Sequence, residues 1–93
     1  SYFLVNTEAL KGASEGMGAF EFGVVFKLLV HDCLSSGSDS IPDIPLEIAQ
    51  IVGISEAEIV SIWGDIEWVF TVKDGFLRPN QNYLLKGDSD GKN

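Results

Sequence analysis

Two short runs with helical apolar periodicity meet at a single glycine. In the second run Ile59, Ile62, Trp63 and Ile66 recur at i, i+3, i+4 and i+7, which predicts a helix with one buried stripe. In the first, Pro45 through Val52 predicts a shorter helix, with a proline at the first position, where no backbone donor is lost. Gly53 stops that helix, because glycine alone takes the left-handed turn geometry without steric cost. Ala49, four residues earlier, is small enough to let two helices approach. Ser55 and Glu58 have the spacing of a capping box, and Ile54 and Ile59 flank it as a hydrophobic staple. The pattern predicts a helix-turn-helix over residues 45–68.

The flanking segments complete the outline. Tyr2–Val5 is an apolar run suited to a strand or an extended arm. Asn6–Gly18, rich in Gly, Ala and Ser, reads as turns with room for a short helix. From Ala19 to Leu34 a helix is predicted. Phe20, Phe22, Val24, Val25, Phe26, Leu28, Leu29 and Cys33 cover most of its circumference, so it belongs at the centre of the fold. Ser35–Ser40 is a polar loop, and Ile41-Pro42 and Ile44-Pro45 impose extended backbone before each proline. Asp74-Gly75 between Phe70–Lys73 and Phe76–Arg78 is a two-residue hairpin signal, with Phe70, Val72 and Phe76 expected to cover the core. Residues 82–86 suit a third short strand. The fold class expected is mainly α with a small β-hairpin, a winged helix-turn-helix forming one domain over residues 1–86, with 87–93 a disordered polar tail.

Charge changes the meaning of this outline. The chain of 93 residues carries 14 acids against 6 bases, a formal charge of −8. From Asp43 to Glu67 there are six acids and no Lys or Arg. Phosphate binding draws on clustered cations, so direct binding to DNA, RNA or anionic membrane is disfavoured. Cys33 is the only cysteine, which excludes an intrachain disulfide and suits a reducing, cytoplasmic setting. The apolar run Phe22–Val30 contains Lys27 and falls far short of a membrane span.

Candidate chemistry is sparse. His31, Asp32 and Cys33 are consecutive, so a helix splays them about 100° apart and they do not converge on a metal. The expected placement is Cys33 in the core with His31 and Asp32 at the surface. The Gly12–Gly18 stretch lacks the Lys-Ser/Thr ending of a phosphate loop and reads as a turn. No catalytic, cofactor or metal residues are assigned, and an enzyme is not expected. On a helical wheel the outward positions of the second helix are Ala57, Ser61, Gly64 and Trp68, edged by Glu58 and Asp65. A DNA reader would carry Arg, Asn or Gln there. Small residues permit close approach of another backbone, so this face suits a protein partner, a second copy of the chain included. The plain alternative is a solvated helix surface. Lys73 and Arg78 on the hairpin are the candidate nucleic-acid contacts, with Lys86 further on.

Taken together, Ile41-Pro42-Asp43, Ile48-Ala49-Gln50-Ile51-Val52-Gly53-Ile54-Ser55, Glu58 and Phe70-Thr71-Val72-Lys73-Asp74-Gly75 resemble a known group. It is the N-terminal winged-helix domain of phage and prophage replication-organiser proteins, whose upstream apolar helix is matched by Gly23–Leu29. The resemblance spans Tyr2 to Arg78 and implies a winged helix working in DNA replication or nucleic-acid metabolism. Members commonly carry Arg or Lys on the second helix and usually continue into further domains; here that helix is acidic. The leading expectation is a non-enzymatic adaptor acting by protein contacts. The alternatives are an acidic DNA mimic that inhibits a host nuclease or defence complex, and a weak dimeric DNA-binding domain.

Overall fold

The computed structural model describes residues 2–35 and 39–87. Four helices carry the core: α1 (Thr7–Glu15), α2 (Ala19–Leu34), α3 (Pro45–Val52) and α4 (Glu56–Ile66). A 3₁₀ turn, Glu67–Val69, leads into the strands β2 (Phe70–Lys73) and β3 (Phe76–Pro79). A second pair, β1 (Tyr2–Val5) and β4 (Leu84–Gly87), joins the two ends of the described chain. The expected tail lies, apart from Gly87, outside the described residues.

Helix α2 is the hub. Val24, Val25, Leu28 and Leu29 are buried against the other helices and β4. Onto it pack Ile48, Ala49 and Val52 of α3 and Ile59, Ile62 and Ile66 of α4. Each such Val, Leu or Ile side chain contributes about 1.5–3 kcal/mol when fully buried. Lys27 of α2 also donates through Nζ to the Val52 carbonyl at 3.1 Å, occupying an acceptor at the end of α3 that the helix cannot satisfy itself. Phe20 departs from expectation: in the first turn of α2 it is about half exposed, beside Gly23 and Lys27 in a shallow depression against Val52 and Ile54.

The turn between α3 and α4 is built as its residues require. Gly53 has φ +90°, and its N–H donates to the Ala49 carbonyl at 2.7 Å. Ile54 N–H donates to the same oxygen at 3.1 Å. Glu58 N–H donates to Ser55 Oγ at 3.1 Å and Ser55 N–H donates to Glu58 Oε1 at 2.9 Å, a complete capping box.

In the wing, Asp74 and Gly75 have φ of 54° and 82°, so both turn residues are left-handed, as in a type I′ turn. A third extended piece completes the wing. Leu77 N–H donates to the Ile41 carbonyl at 2.8 Å, Asp43 N–H donates to the Gly75 carbonyl at 2.9 Å, and Pro42 bridges Phe76. Pro42 has no donor to lose at this sheet edge. The order helix, edge strand, helix-turn-helix, hairpin is that of a winged helix, mainly α with a small β-hairpin.

Several expectations require correction. Asn6–Gly18 is mostly helix: Asn6 Oδ1 caps Ala9 N–H at 3.1 Å, and Leu10 and Ala13 enter the core. Val72 does not cover the core. It pairs with buried Leu77 but is 52% exposed, on the strand that lacks the second neighbour Leu77 has in Ile41. Residues 84–87 do not extend the wing; they pair with β1, and Asn6 N–H donates to the Tyr83 carbonyl at 2.9 Å just beyond that ribbon. Cys33 is half-buried like His31 and Asp32 rather than in the core. His31 Nε2 lies 3.2 Å from the Ser40 carbonyl, and Asp32 accepts from Ser40 Oγ at 2.9 Å. Together they tie the end of α2 to the segment entering the wing.

Two stability measurements follow from these geometries. Gly53→Ala forces a Cβ into left-handed backbone and should lower the unfolding free energy in urea by about 1–2 kcal/mol. Ser55→Ala should cost about 1 kcal/mol. Equal stability of both variants with the wild type would refute the turn as described. Burial also pushes the Tyr83 phenol above its ordinary value. The folded state then holds that proton more tightly than the unfolded state does. Stability is therefore intact below about pH 10 and falls as pH rises beyond it. Tyr83→Phe should flatten that alkaline loss in a denaturation series.

Candidate partner-binding face

The face of α4 turned away from the core begins as a consequence of the capping box. With Ile59, Ile62 and Ile66 buried, Ala57, Glu58, Ser61, Gly64 and Asp65 are all exposed. Ser61 Oγ donates to the Glu58 carbonyl at 2.8 Å, so its hydroxyl is turned back onto the helix. Glu56, Glu58 and Asp65 supply exposed carboxylates along α4, with Glu67 just beyond its end, and none is in an ion pair among the described residues.

Trp68 does not sit on the helical wheel that placed it with Ala57, Ser61 and Gly64. The α-helix ends at Ile66, and Glu67–Val69 tightens into a 3₁₀ turn. Trp68 is nonetheless exposed, at 48%, and its Nε1 donates to the Asp65 carbonyl at 3.0 Å. Asn80 holds the turn from the other side, donating from Nδ2 to the Trp68 carbonyl at 2.6 Å and from its backbone N–H to Val69 at 2.8 Å. The side chain of Thr71 also contacts that of Asn80. Trp68 is therefore a fixed aromatic edge beyond the helix.

The wing bases part company. Lys73 is exposed at the hairpin turn. Arg78 is half-buried, and its guanidinium donates to Asp39 at 2.8 Å, so its charge is already partnered. Lys86 belongs to β4, opposite Phe3, on the other ribbon. Lys73 and Arg78 on the wing thus differ in exposure and in partner.

A groove that periodicity did not reveal flanks the same helix. Asp43, Pro45 and Ile48 form one side and Ile59, Val60, Trp63 and Gly64 the other, enclosing about 340 Å³. Ile48 and Ile59 are buried and make its floor, while Val60 stands at the rim, 59% exposed. Trp63 is half-buried and stacks on Phe70, with ring centroids 6.1 Å apart and planes within 10°. That stacking couples the groove wall to the wing. The groove's one trace in the sequence is Val60, a bulky apolar residue off the buried stripe of α4; that it meets the start of α3 is set by the fold alone.

Gly64 belongs to both the groove and the outer face. A Cβ built there meets nothing within 4 Å, so packing inside the chain does not call for glycine. Comparisons of the chain with protein-family models, with curated proteins and with solved structures return no match. The geometry of α4 and its surroundings is therefore what bears on function.

Glycine inside a helix costs about 0.8–1 kcal/mol relative to alanine. Gly64→Ala should accordingly raise the unfolding free energy by about that amount. A loss of stability in urea titration would mean that the space beside Gly64 is needed by the fold itself.

Proposed function

We propose that this chain is a non-enzymatic winged-helix adaptor that acts through protein contacts made by the outer side of α4. The observation that carries the reading is the combination on that helix of exposed carboxylates, small side chains and no base. In a DNA-binding winged helix this element meets phosphates, and each contact releases counterions from the nucleic acid. Here Glu56, Glu58, Asp65 and Glu67 would repel them. A protein surface is the complementary partner, with Ala57, Ser61 and Gly64 admitting a close backbone and Glu58, Asp65 and Trp68 bounding it. The resemblance of Ile41–Asp43, Ile48–Ser55 and Phe70–Gly75 to replication-organiser winged helices supplies the setting proposed: replication or nucleic-acid metabolism of a phage or mobile element, in the cytoplasm of a bacterial host. Among the described residues no helix is long and apolar enough to cross a membrane.

Replacing Ser61 and Gly64 together by Arg tests the face. The double variant should lose a protein captured by the wild-type chain, or lose self-association in sedimentation, while its circular-dichroism spectrum stays unchanged. Undiminished binding by that variant would sink the assignment. Duplex DNA should show no mobility shift at micromolar protein in about 50 mM salt. A shift that disappears on Lys73→Glu would instead favour the wing as a nucleic-acid contact.

A further inference from the structure

The groove between α3 and α4 has features that the outer face of α4 does not require. Its lining is apolar except for one carboxylate, Asp43, at the N-terminal approach to α3. Its volume of about 340 Å³ lies at the small end of the range for ligand pockets, about 300–1,000 Å³. Small-molecule sites fix orientation with several convergent polar groups, and this one offers a single acid. Pro45, Ile48, Ile59, Val60 and Trp63 instead suit the side chain of a protein segment. Gly64 leaves one end open where alanine would favour the helix, since no atom of the chain occupies the space beside it.

Charge selects the occupant. Between Lys27 and Lys73 the chain has no Lys or Arg, and it carries eight acids: Asp32, Asp39, Asp43, Glu47, Glu56, Glu58, Asp65 and Glu67. Asp43 makes no ion pair among the described residues, while its backbone is pinned by the bond to Gly75. Glu56 lies one helical turn before Val60 on α4 and Glu67 follows Gly64 by three positions, just beyond the end of that helix, whereas Glu47 is on the other side of α3 from Pro45. An apolar slot in an acidic surround is complementary to an apolar side chain flanked by cations.

We infer that this groove binds a short protein segment carrying one bulky apolar residue between Lys or Arg residues. The bulky side chain seats on Ile48 and Ile59 between Val60 and Trp63, and a flanking cation meets Asp43. This rests on the reading of the α4 side as protein-binding and narrows it to one slot and one partner chemistry.

The test is a titration of the full chain, labelled with nitrogen-15, by synthetic peptides followed in amide spectra. The probe has a central Leu or Phe flanked by Lys and Arg; the controls carry a central Ser, or Glu in place of the bases. Saturable shifts centred on Val60, Trp63 and Gly64 are expected with the basic apolar probe. Affinity should drop at least about tenfold for either control, for Val60→Ser and, at low salt, for Asp43→Asn. Both substitutions alter exposed side chains, so matched spectra of the free variants verify that the fold is kept. Shifts centred elsewhere, equal binding of the Ser-centred control, or no binding by the basic apolar probe would overturn the proposal. Because Ser61 does not line the groove, Ser61→Arg separates the two readings. Loss of a captured partner in that variant alongside failure of the peptide leaves the outer face standing and removes the groove.

Discussion

The left-handed turn at Gly53 is the constraint on which the rest of the molecule depends. One carbonyl, that of Ala49, accepts from both Gly53 and Ile54, and the chain reverses there without a break in its hydrogen bonding. The Ser55–Glu58 box then starts α4 in a defined register. Once that register is set, Ile59, Ile62 and Ile66 face the core and Val60, Ser61 and Gly64 cannot. A side chain at 53 in the same backbone would be strained, and relief by rotating the turn would swing the buried stripe of α4 off its partners. The composition of the candidate face is thus decided at a residue that lies outside it.

A second constraint comes from the wing. Ile41–Asp43 is bound edgewise to β3 through Leu77 and Gly75, and Trp63 stacks on Phe70 at the start of β2. The wing therefore grips both sides of the groove: the segment that carries Asp43 and the aromatic wall of α4. This gives a two-stranded hairpin, marginal by itself, a role as a brace. The contact of Arg78 with Asp39 belongs to the same bracing, because it ties β3 to the loop before Ile41. A base that a sequence reading assigns to phosphate is spent on holding the wing to the body.

Local chemistry made much of this legible. The bounds of α2 and α3, the capping box and the Asp74-Gly75 turn follow from residues whose preferences act within a few positions. The misses have equally physical causes. Glycine and alanine density over Asn6–Gly18 obscured a helix that Asn6 caps and that Leu10 and Ala13 anchor through tertiary burial, which outweighs weak propensity. The pairing of Tyr2–Val5 with Leu84–Gly87 joins strands some eighty residues apart in sequence, and no local signal encodes such a register. A uniform helical period places Trp68 with Ala57, Ser61 and Gly64, and the 3₁₀ turn at Glu67 breaks that period. The candidate face on α4 was readable because it is the complement of a strong apolar stripe. The groove was not, since it exists only where the start of α3 meets the flank of α4.

Glycine at position 64 brings these points together. Elsewhere on the helix-turn-helix each local choice agrees with the fold: proline opens α3, glycine makes the turn, serine and glutamate cap α4. At Gly64 a helix interior carries its poorest ordinary residue, and the surrounding atoms neither touch nor need the vacant space. A Cβ would be equally free at Gly12 in α1 and Gly23 in α2; what sets Gly64 apart is its place on the groove between α3 and α4, beside the acids of α4. Those acids bear on the kind of partner, for a helix with Glu56, Glu58 and Asp65, followed by Glu67, and no neutralising base presents a field that favours cationic partners. On the proposed reading shape and charge agree, because the acidity that argues against a phosphate backbone on α4 is the feature that would suit it to a basic segment of protein.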